Sequence, residues 1–266
     1  GSEMCIRDSH RARRFRLACQ KRGARVGAYP GLQAVADRAA YYGMIRQSLL
    51  EDLLLERFGQ DYTFTVDLDA GEFAFLGEAG QSVTATPTLV ASVAPGPRSL
   101  LWGWAGHDVP GPEATATRDL GQQYGIDELV APEVPFAADA SHDSDAEVTA
   151  LAHLAGLAAV EAVRAGVYYT FPAGGGTRGV LHLQGIEVPE PTIAEIVLRF
   201  PRVAEEFSRC QDARSAVVGL SEHLGWRLDW DGPHRSGATL HDGAGRTVAF
   251  GFDAQGRLSR VDAPSL

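Results

Sequence analysis

The chain carries two tryptophans two residues apart, in Leu100-Leu101-Trp102-Gly103-Trp104-Ala105-Gly106-His107. Side chains on a β-strand alternate between its two faces, so this pattern predicts a strand with Leu100, Trp102 and Trp104 on one face. The opposite face is small, with Gly103 at its centre. We interpret the large face as core-forming and the small face as a place where another element packs closely.

Periodicity on both sides of this strand predicts an α+β fold with antiparallel sheets. An amphipathic helix is predicted over residues 32–58, and strands with glycine-turned hairpins follow it. Helices are predicted from Pro112 to Tyr124 and from Ser144 onward, and a hairpin over 166–188 comes next. The predicted order is α-ββββ-α-α-ββ and then α-α-ββββ, in β-meanders with helices covering one face of each sheet.

Prolines mark the predicted irregularities and one boundary. We expect a break or bulge near Pro87 in the strand region 81–94, and an interruption at Pro201 between helices. Pro189-Glu190-Pro191 divides a main α+β domain, residues 32–188, from a smaller lobe of helix and β-meander, residues 189–266. The second half repeats the order helix, glycine and aromatic strand, which leaves a distant duplication as an open alternative.

The first 31 residues are set apart from the rest. Residues 1–9, Gly-Ser-Glu-Met-Cys-Ile-Arg-Asp-Ser, resemble a translated transposon adapter from DNA library preparation, which predicts a metagenomic reading frame with an arbitrary start. Seven basic residues follow between Arg11 and Arg25. They indicate either a basic arm for nucleic acid or read-through upstream of the native start, and we favour read-through. We expect residues 1–31 to be a disordered arm without tertiary contacts.

Composition narrows the class of protein. Lys21 is the only lysine and asparagine is absent, which is typical of a GC-rich genome. The formal net charge is −10, and residues 32–266 carry 16 basic and 32 acidic side chains. Such an acidic surface repels phosphate, so we predict no nucleic-acid partner. Three cysteines form no disulfide or zinc framework, and no apolar run reaches the length of a membrane span, which predicts a cytoplasmic protein without a membrane partner.

Two stretches resemble ligand loops without meeting their requirements. Gly174-Gly175-Gly176 has no following Gly-Lys-Ser/Thr and lies between predicted strands, so it indicates a hairpin rather than a phosphate loop. Asp139, His142, Asp143, Asp145 and Glu147 could hold calcium, or could stabilise the start of the helix through its dipole, and we favour the dipole. The sequence predicts no catalytic residue, no cofactor and no metal site.

Aromatic residues and histidines are the remaining candidates for a pocket or an interaction surface. His107-Asp108 is either an acid–base pair or an exposed loop, and we favour the loop. The aromatic residues either belong to the core or form a site, and we favour the core. The candidate site residues are Trp102, Trp104, His107, Tyr168, Tyr169 and His182.

Three segments resemble the domain of unknown function numbered 6882, a mostly actinobacterial family. They are Trp102-Gly103-Trp104-Ala105 with the stretch from Leu120 to Leu129, then Arg199 to Val203, and finally Ser221-Glu222-His223-Leu224-Gly225 through the stretch from Phe252 to Arg257. The resemblance extends over about residues 32–262. Gly106 stands where the family usually shows asparagine. The resemblance implies no activity, cofactor or catalytic residue.

Two hypotheses of function follow. The first is a cytoplasmic binding or protein-interaction module without catalytic activity, with a protein as its partner. The second is a small-molecule-binding protein or an enzyme, with a pocket between sheet and helices near Trp104, Tyr168 and His182. Convergent polar groups in one apolar pocket would favour the second, and a flat surface patch would favour the first.

Overall fold

The structure is a computed structural model that describes residues 28–106, 111–137, 144–206 and 210–263. Within these ranges, seven segments are helical: α1 Pro30–Phe58, α2 Gly103–Gly106, α3 Pro112–Tyr124, α4 Asp127–Val130, α5 Ser144–Val163, α6 Ile193–Glu206 and α7 Ala213–Leu224. The strands are β1 Tyr62–Asp67, β2 Glu72–Gly77, β3 Ser82–Ala94, β4 Ser99–Trp102, β5 Glu133–Pro135, β6 Val167–Pro172, β7 Arg178–Gln184, β8 Arg227–Trp230, β9 Gly237–His241, β10 Thr247–Phe252 and β11 Leu258–Asp262.

The strands form two antiparallel sheets, which confirms the predicted α+β class with β-meanders. The larger sheet follows the order β1-β2-β3-β4-β5, and β7 joins it by pairing with both β3 and β6. The glycine-rich turn between β6 and β7 is a hairpin, as predicted, closed by a 2.8 Å hydrogen bond from the Ala173 amide to the Thr177 carbonyl. The short elements α2, α4 and β5 are additions that periodicity did not predict.

The smaller sheet is a four-stranded meander in the order β11-β10-β9-β8. Two of its three turns, the one between β9 and β10 and the one between β10 and β11, are built alike. Asp242 accepts hydrogen bonds from the amides of Ala244 and Arg246, and Asp253 accepts them from the amides of Gln255 and Arg257. An aspartate that binds its own following backbone stabilises a tight turn, so hairpin formation accounts for these matching stretches.

Helices α5 and α7 both pack along α1. Helix α5 also contacts β3, β6 and β7, and its Gly156 lets the Tyr168 ring approach, since a Cβ atom there would lie 2.3 Å from the ring. The window Asp145–Val163 is long and apolar enough to cross a membrane, contrary to our expectation, but 72% of it is buried inside the protein. Helix α5 is therefore mostly part of the protein core.

The tryptophan stretch is a strand for only part of its length, which corrects the predicted alternation. Strand β4 ends at Trp102, and α2 begins at Gly103, so Trp104 does not share a strand face with Trp102. The turn into α2 lies against a register shift in β3 between Leu89 and Ala91. A Cβ atom at Gly103 would lie 1.9 Å from the Leu89 carbonyl oxygen, so only glycine fits here.

The irregularity expected near Pro87 is present, since the register of β3 shifts between Leu89 and Ala91, while Pro87 itself lies in register opposite Leu183. The interruption expected at Pro201 needs correction. Helix α6 continues through Pro201. Proline inside a helix removes one N–H donor and its ring crowds the carbonyl four residues earlier, at a cost of about 3 kcal/mol that packing of the rest of the helix has to outweigh.

Tertiary contacts are already present at Tyr29, three residues before the predicted start of the main domain. Tyr29 is buried, and its hydroxyl donates to Glu147 at 2.8 Å and accepts from the Ala137 amide at 2.9 Å. The end of the predicted arm therefore makes tertiary contacts. The adapter-like residues and the basic stretch lie outside the described residues, as do Asp139, His142 and Asp143 of the acidic loop.

Helix α1 also contacts the predicted domain boundary near residue 189 and helix α7 beyond it. Arg46 donates to the Val188 carbonyl at 2.7 Å and to Glu190 at 2.9 Å. Farther along, a Cβ atom at Gly219 of α7 would lie 1.8 Å from the Arg38 carbonyl oxygen, so the two helices touch through their backbones. The division of the chain at residue 189 stays a prediction.

Candidate functional site

Trp102 is an anchor of the core. Its side chain is 0% exposed, and its indole nitrogen donates to the Glu128 carbonyl at 2.8 Å. Its backbone amide donates to the Pro132 carbonyl at 3.1 Å. Because both partners lie in or beside α4, this tryptophan fixes α4 against the larger sheet.

Trp104 lies on α2 and is half-buried. The Arg118 guanidinium lies 5.6 Å from the centre of its ring, a distance at which a cation is attracted to an aromatic face. Its indole N–H is buried and meets no acceptor within the described ranges. His107, the neighbouring candidate, lies outside the described residues.

His182 is fully buried in the middle of β7, in register opposite Tyr168. Its Nε2 atom lies 2.6 Å from the Ala165 carbonyl oxygen, which makes this nitrogen the donor. Burial lowers the pKa of His182, although the bond to Ala165 opposes the effect. The side chain is therefore a neutral imidazole that ties β7 to the start of β6.

Tyr168 and Tyr169 line a small cleft between α1 and β6. Its volume is about 40 Å³. Of the candidate residues, the cleft brings together these two tyrosines but not Trp102, Trp104 or His182. The lining residues are Gln47, Leu50, Glu51, Leu54, Tyr62, His153, Tyr168, Tyr169 and Thr170.

The cleft lies at the free edge of a strand. Among the described strands, β6 pairs only with β7, so its other edge faces α1. The Gln47 side-chain amide donates to the Tyr168 carbonyl there. Backbone groups two residues apart on a strand point the same way, so the N–H and C=O of Thr170 also face this edge. Helix α1 thus covers the edge while the cleft leaves room beside it.

Two polar side chains inside the cleft differ in their bonding. His153 Nδ1 lies 3.0 Å from the Tyr168 hydroxyl oxygen, so these two groups share a hydrogen bond. Thr170 is only 2% exposed, and its hydroxyl has no partner in the part of the chain that the structure describes. A buried hydroxyl without a partner is costly, and such groups often mark a place that water or a ligand fills.

Sequence reasoning missed the α1 wall of this cleft. Gln47, Leu50, Glu51 and Leu54 follow the helical spacing i, i+3, i+4, i+7, so they form one stripe. The two polar residues one turn apart in an otherwise apolar stripe are the signal that could have indicated it. Helix α1 buries residues on most of its sides, so its sequence pattern does not distinguish Gln47 and Glu51 from polar residues that face solvent.

An ionic cluster joins α1, α5 and α7, and it too was not predicted. Buried Glu161 accepts from Arg38 Nε at 2.8 Å and from His223 Nε2 at 2.9 Å. Glu222 accepts from Arg38 at 2.6 Å and from Arg164 at 2.9 Å. Burial alone would raise the pKa of Glu161, but the hydrogen bonds from His223 and Arg38 outweigh it and lower the pKa. The carboxylates and guanidinium groups pair with one another, which indicates a structural role, whereas His223 Nδ1 is buried without a partner among the described residues.

The stretch from Trp102 to Leu129, part of the family resemblance, is a packing unit. A Cβ atom at Gly121 of α3 would lie 2.6 Å from the Leu129 Cβ atom. Gly125 ends α3 with φ +65°, a left-handed conformation that favours glycine. Gly103 and Gly121 thus permit two close approaches in this stretch, and Gly125 permits the turn that ends α3. Their spacing therefore serves the fold rather than chemistry.

Comparison with known proteins identifies a family for this chain, but that family has no known activity. The model of a family of unknown function, DUF6882, matches residues 33–186, more than half of the chain. The match contains the segment from Trp102 to Leu129, whereas the two later segments of the resemblance lie beyond it. No curated protein and no solved structure matches the chain. The chain belongs to the family of unknown function DUF6882.

Proposed function

We propose that this protein is a binding module without catalytic activity, and that its ligand enters the cleft between α1 and β6. One observation carries this proposal: the cleft lies at a free strand edge and contains Thr170, whose buried hydroxyl lacks a partner within the described ranges. Aromatic and leucine side chains surround a few polar groups, the usual composition of a ligand site.

The size of the cleft limits what it can hold. A water molecule needs about 10–15 Å³ of cavity volume, so a cleft of about 40 Å³ admits roughly three waters. The ligand is therefore a small molecule or one chemical group of a larger one. Large exposed apolar side chains, such as Leu55, Tyr124 and Leu198, lie on three different helices. The cleft thus supports the proposal better than a flat interaction surface does.

The reactive groups of the described residues support binding rather than catalysis. Burial raises the pKa of the Cys210 thiol well above its ordinary value, so this cysteine is a poor nucleophile. In the cleft, His153 is already hydrogen-bonded to Tyr168. The scarcity of cysteine supports a cytoplasmic location, and the acidic composition supports a partner other than nucleic acid.

A screen of small fragments by ligand-observed NMR tests the proposal. Fragments that bind the wild-type protein should bind Thr170→Val more weakly, because valine removes the free hydroxyl and keeps the shape. Thr239→Val, a strand substitution in the smaller sheet, is the matched control and should leave binding unchanged. A screen without hits, or hits that are indifferent to Thr170→Val, would contradict the proposal.

Stability provides an independent prediction for the same residue. Replacing Thr170 by valine removes a buried hydroxyl without a described partner, so we expect the free energy of unfolding to rise by about 1 kcal/mol. Thr117→Val is the comparison, since the Thr117 hydroxyl is buried but donates to the Ala114 carbonyl at 2.7 Å. That variant should lose about 1 kcal/mol in urea denaturation. Equal losses in both variants would show that the Thr170 hydroxyl is already satisfied.

A further inference from the structure

The free edge of β6 already holds one carboxamide group. The side-chain amide of Gln47, on α1, donates to the Tyr168 carbonyl at this edge. A carboxamide carries a carbonyl acceptor beside two N–H donors, which is the pattern that the edge of a strand presents to a neighbour. The protein itself therefore shows a chemical group that fits this edge, two residues before Thr170.

Thr170 presents the next backbone donor and acceptor of the edge. Its N–H and C=O point away from β7, as the Tyr168 carbonyl does, because the two residues are two apart on the strand. Among the described strands only β7 pairs with β6, so no strand supplies partners for these two groups. The Thr170 hydroxyl, on a residue that is 2% exposed, also lacks a partner in the described part of the chain. One residue thus offers a donor and two acceptors to the cleft.

The charged and titratable side chains of the cleft are already engaged within the protein. Glu51 lines the cleft from α1 and interacts with other groups of the chain. His153 and Tyr168 share a hydrogen bond with each other. No arginine or lysine is among the described residues that line the cleft. Because burying a charge without a counter-ion is costly, a neutral ligand is favoured over a cation or an anion.

We infer that the cleft binds the primary carboxamide group of a small neutral amide at Thr170. The ligand carbonyl accepts from the Thr170 N–H, and the ligand NH₂ donates to the Thr170 carbonyl and hydroxyl. This inference rests on the proposed binding function and specifies its ligand class. The carbon, oxygen and nitrogen of the group have about the bulk of the three waters that the cleft admits, and Leu50 and Leu54 suit a short alkyl end.

The probe is propionamide, titrated into the full chain and followed by ¹H–¹⁵N NMR. We expect saturable binding with a dissociation constant on the order of 1 mM, because so small a ligand has few contacts. The Thr170 backbone amide proton should move downfield as it gains a hydrogen bond. Butanone, which has the same shape but no N–H donor, and propionate, which is charged, should bind at least about tenfold more weakly. Equal binding of either would overturn the carboxamide inference and leave the binding cleft in place.

Variants of Thr170 make the test specific. Thr170→Ser keeps the hydroxyl and should retain most of the propionamide binding, whereas Thr170→Val should weaken it about fivefold. Thr239→Val, in the smaller sheet, is the control and should leave binding unchanged. Equal propionamide binding by Thr170→Ser and Thr170→Val would overturn the inference. Melting temperatures check that each variant is folded.

The source of the carboxamide group is settled by a second probe. Nα-acetyl-glutamine N-methylamide carries the same group on a glutamine side chain. Tighter binding of this compound than of propionamide would assign the group to a partner protein's glutamine, and the reverse order would assign it to a free amide. If no amide binds while fragments sensitive to Thr170→Val do, the carboxamide inference is wrong and the proposed function stands. If neither class binds, both are wrong.

Discussion

Replacing Trp102 by alanine is expected to lower the free energy of unfolding by about 3–5 kcal/mol, the usual cost of removing a large core aromatic residue. The side chain is 0% exposed, so the substitution leaves a cavity between the larger sheet and α4. It also leaves the Glu128 carbonyl without its indole donor. Denaturation in urea, followed by far-UV circular dichroism, measures the loss.

Trp104→Ala is the matched control for this effect. The sequence alone assigns Trp104 to the same buried face, which would predict the same cost. The structure places it half-buried on α2, beneath the Arg118 guanidinium, so we expect a loss of about 1–2 kcal/mol. Equal losses for the two tryptophans would contradict the placement of Trp104 on a helix and restore the continuous strand.

The second large effect is expected at Glu161, where glutamine should lower the free energy of unfolding by about 2–3 kcal/mol. Glutamine cannot balance Arg38 or accept as strong a hydrogen bond from His223, and both partners approach within 3 Å. We place the cost below that of a fully buried ion pair, because Arg38 is one-third exposed and water partly screens it. Glu56→Gln, on an exposed part of α1, should change stability little.

The same carboxylate gives a pH dependence with a definite sign. The pKa of Glu161 is lowered in the folded protein, so the folded state holds its proton more weakly than the unfolded state does. Its stabilising contribution is therefore complete above the ordinary carboxylate pKa and is lost as the pH falls through the lowered value. We expect Glu161→Gln to flatten the acid limb of the stability profile. An acid limb equally steep in wild type and variant would show that Glu161 does not carry this dependence.

Much of the fold follows from local patterns. Helix α3 has its predicted ends, Pro112 and Tyr124, and the smaller sheet is the predicted four-stranded meander, because terminal glycines and alternation are visible in a short window. The failure at Trp104 has a different origin. Gly103 starts a helix because the backbone of β3 lies against it, and this contact joins residues distant in sequence.

The candidate site was less accessible to sequence reasoning for the same reason. The sequence indicates Tyr168 and Tyr169 as aromatic residues on a predicted strand, but the other residues of the cleft come from α1, α5 and β1. Gln47 and the Tyr168 carbonyl are separated by 121 residues. Only the packing of α1 over the edge of β6 turns these scattered residues into a cleft. The ionic cluster around Glu161 depends likewise on three helices meeting.

The most direct test of the proposed binding cleft is a ¹H–¹⁵N NMR spectrum recorded with and without the strongest fragment hit. We expect the signals of the Gln47 side-chain amide, which donates to the Tyr168 carbonyl, and of the Thr170 backbone amide to shift together as the ligand saturates the cleft. Amides of the smaller sheet, such as that of Thr239, should not move. Shifts centred on Trp104 or on Leu198, with Gln47 and Thr170 unchanged, would contradict the account.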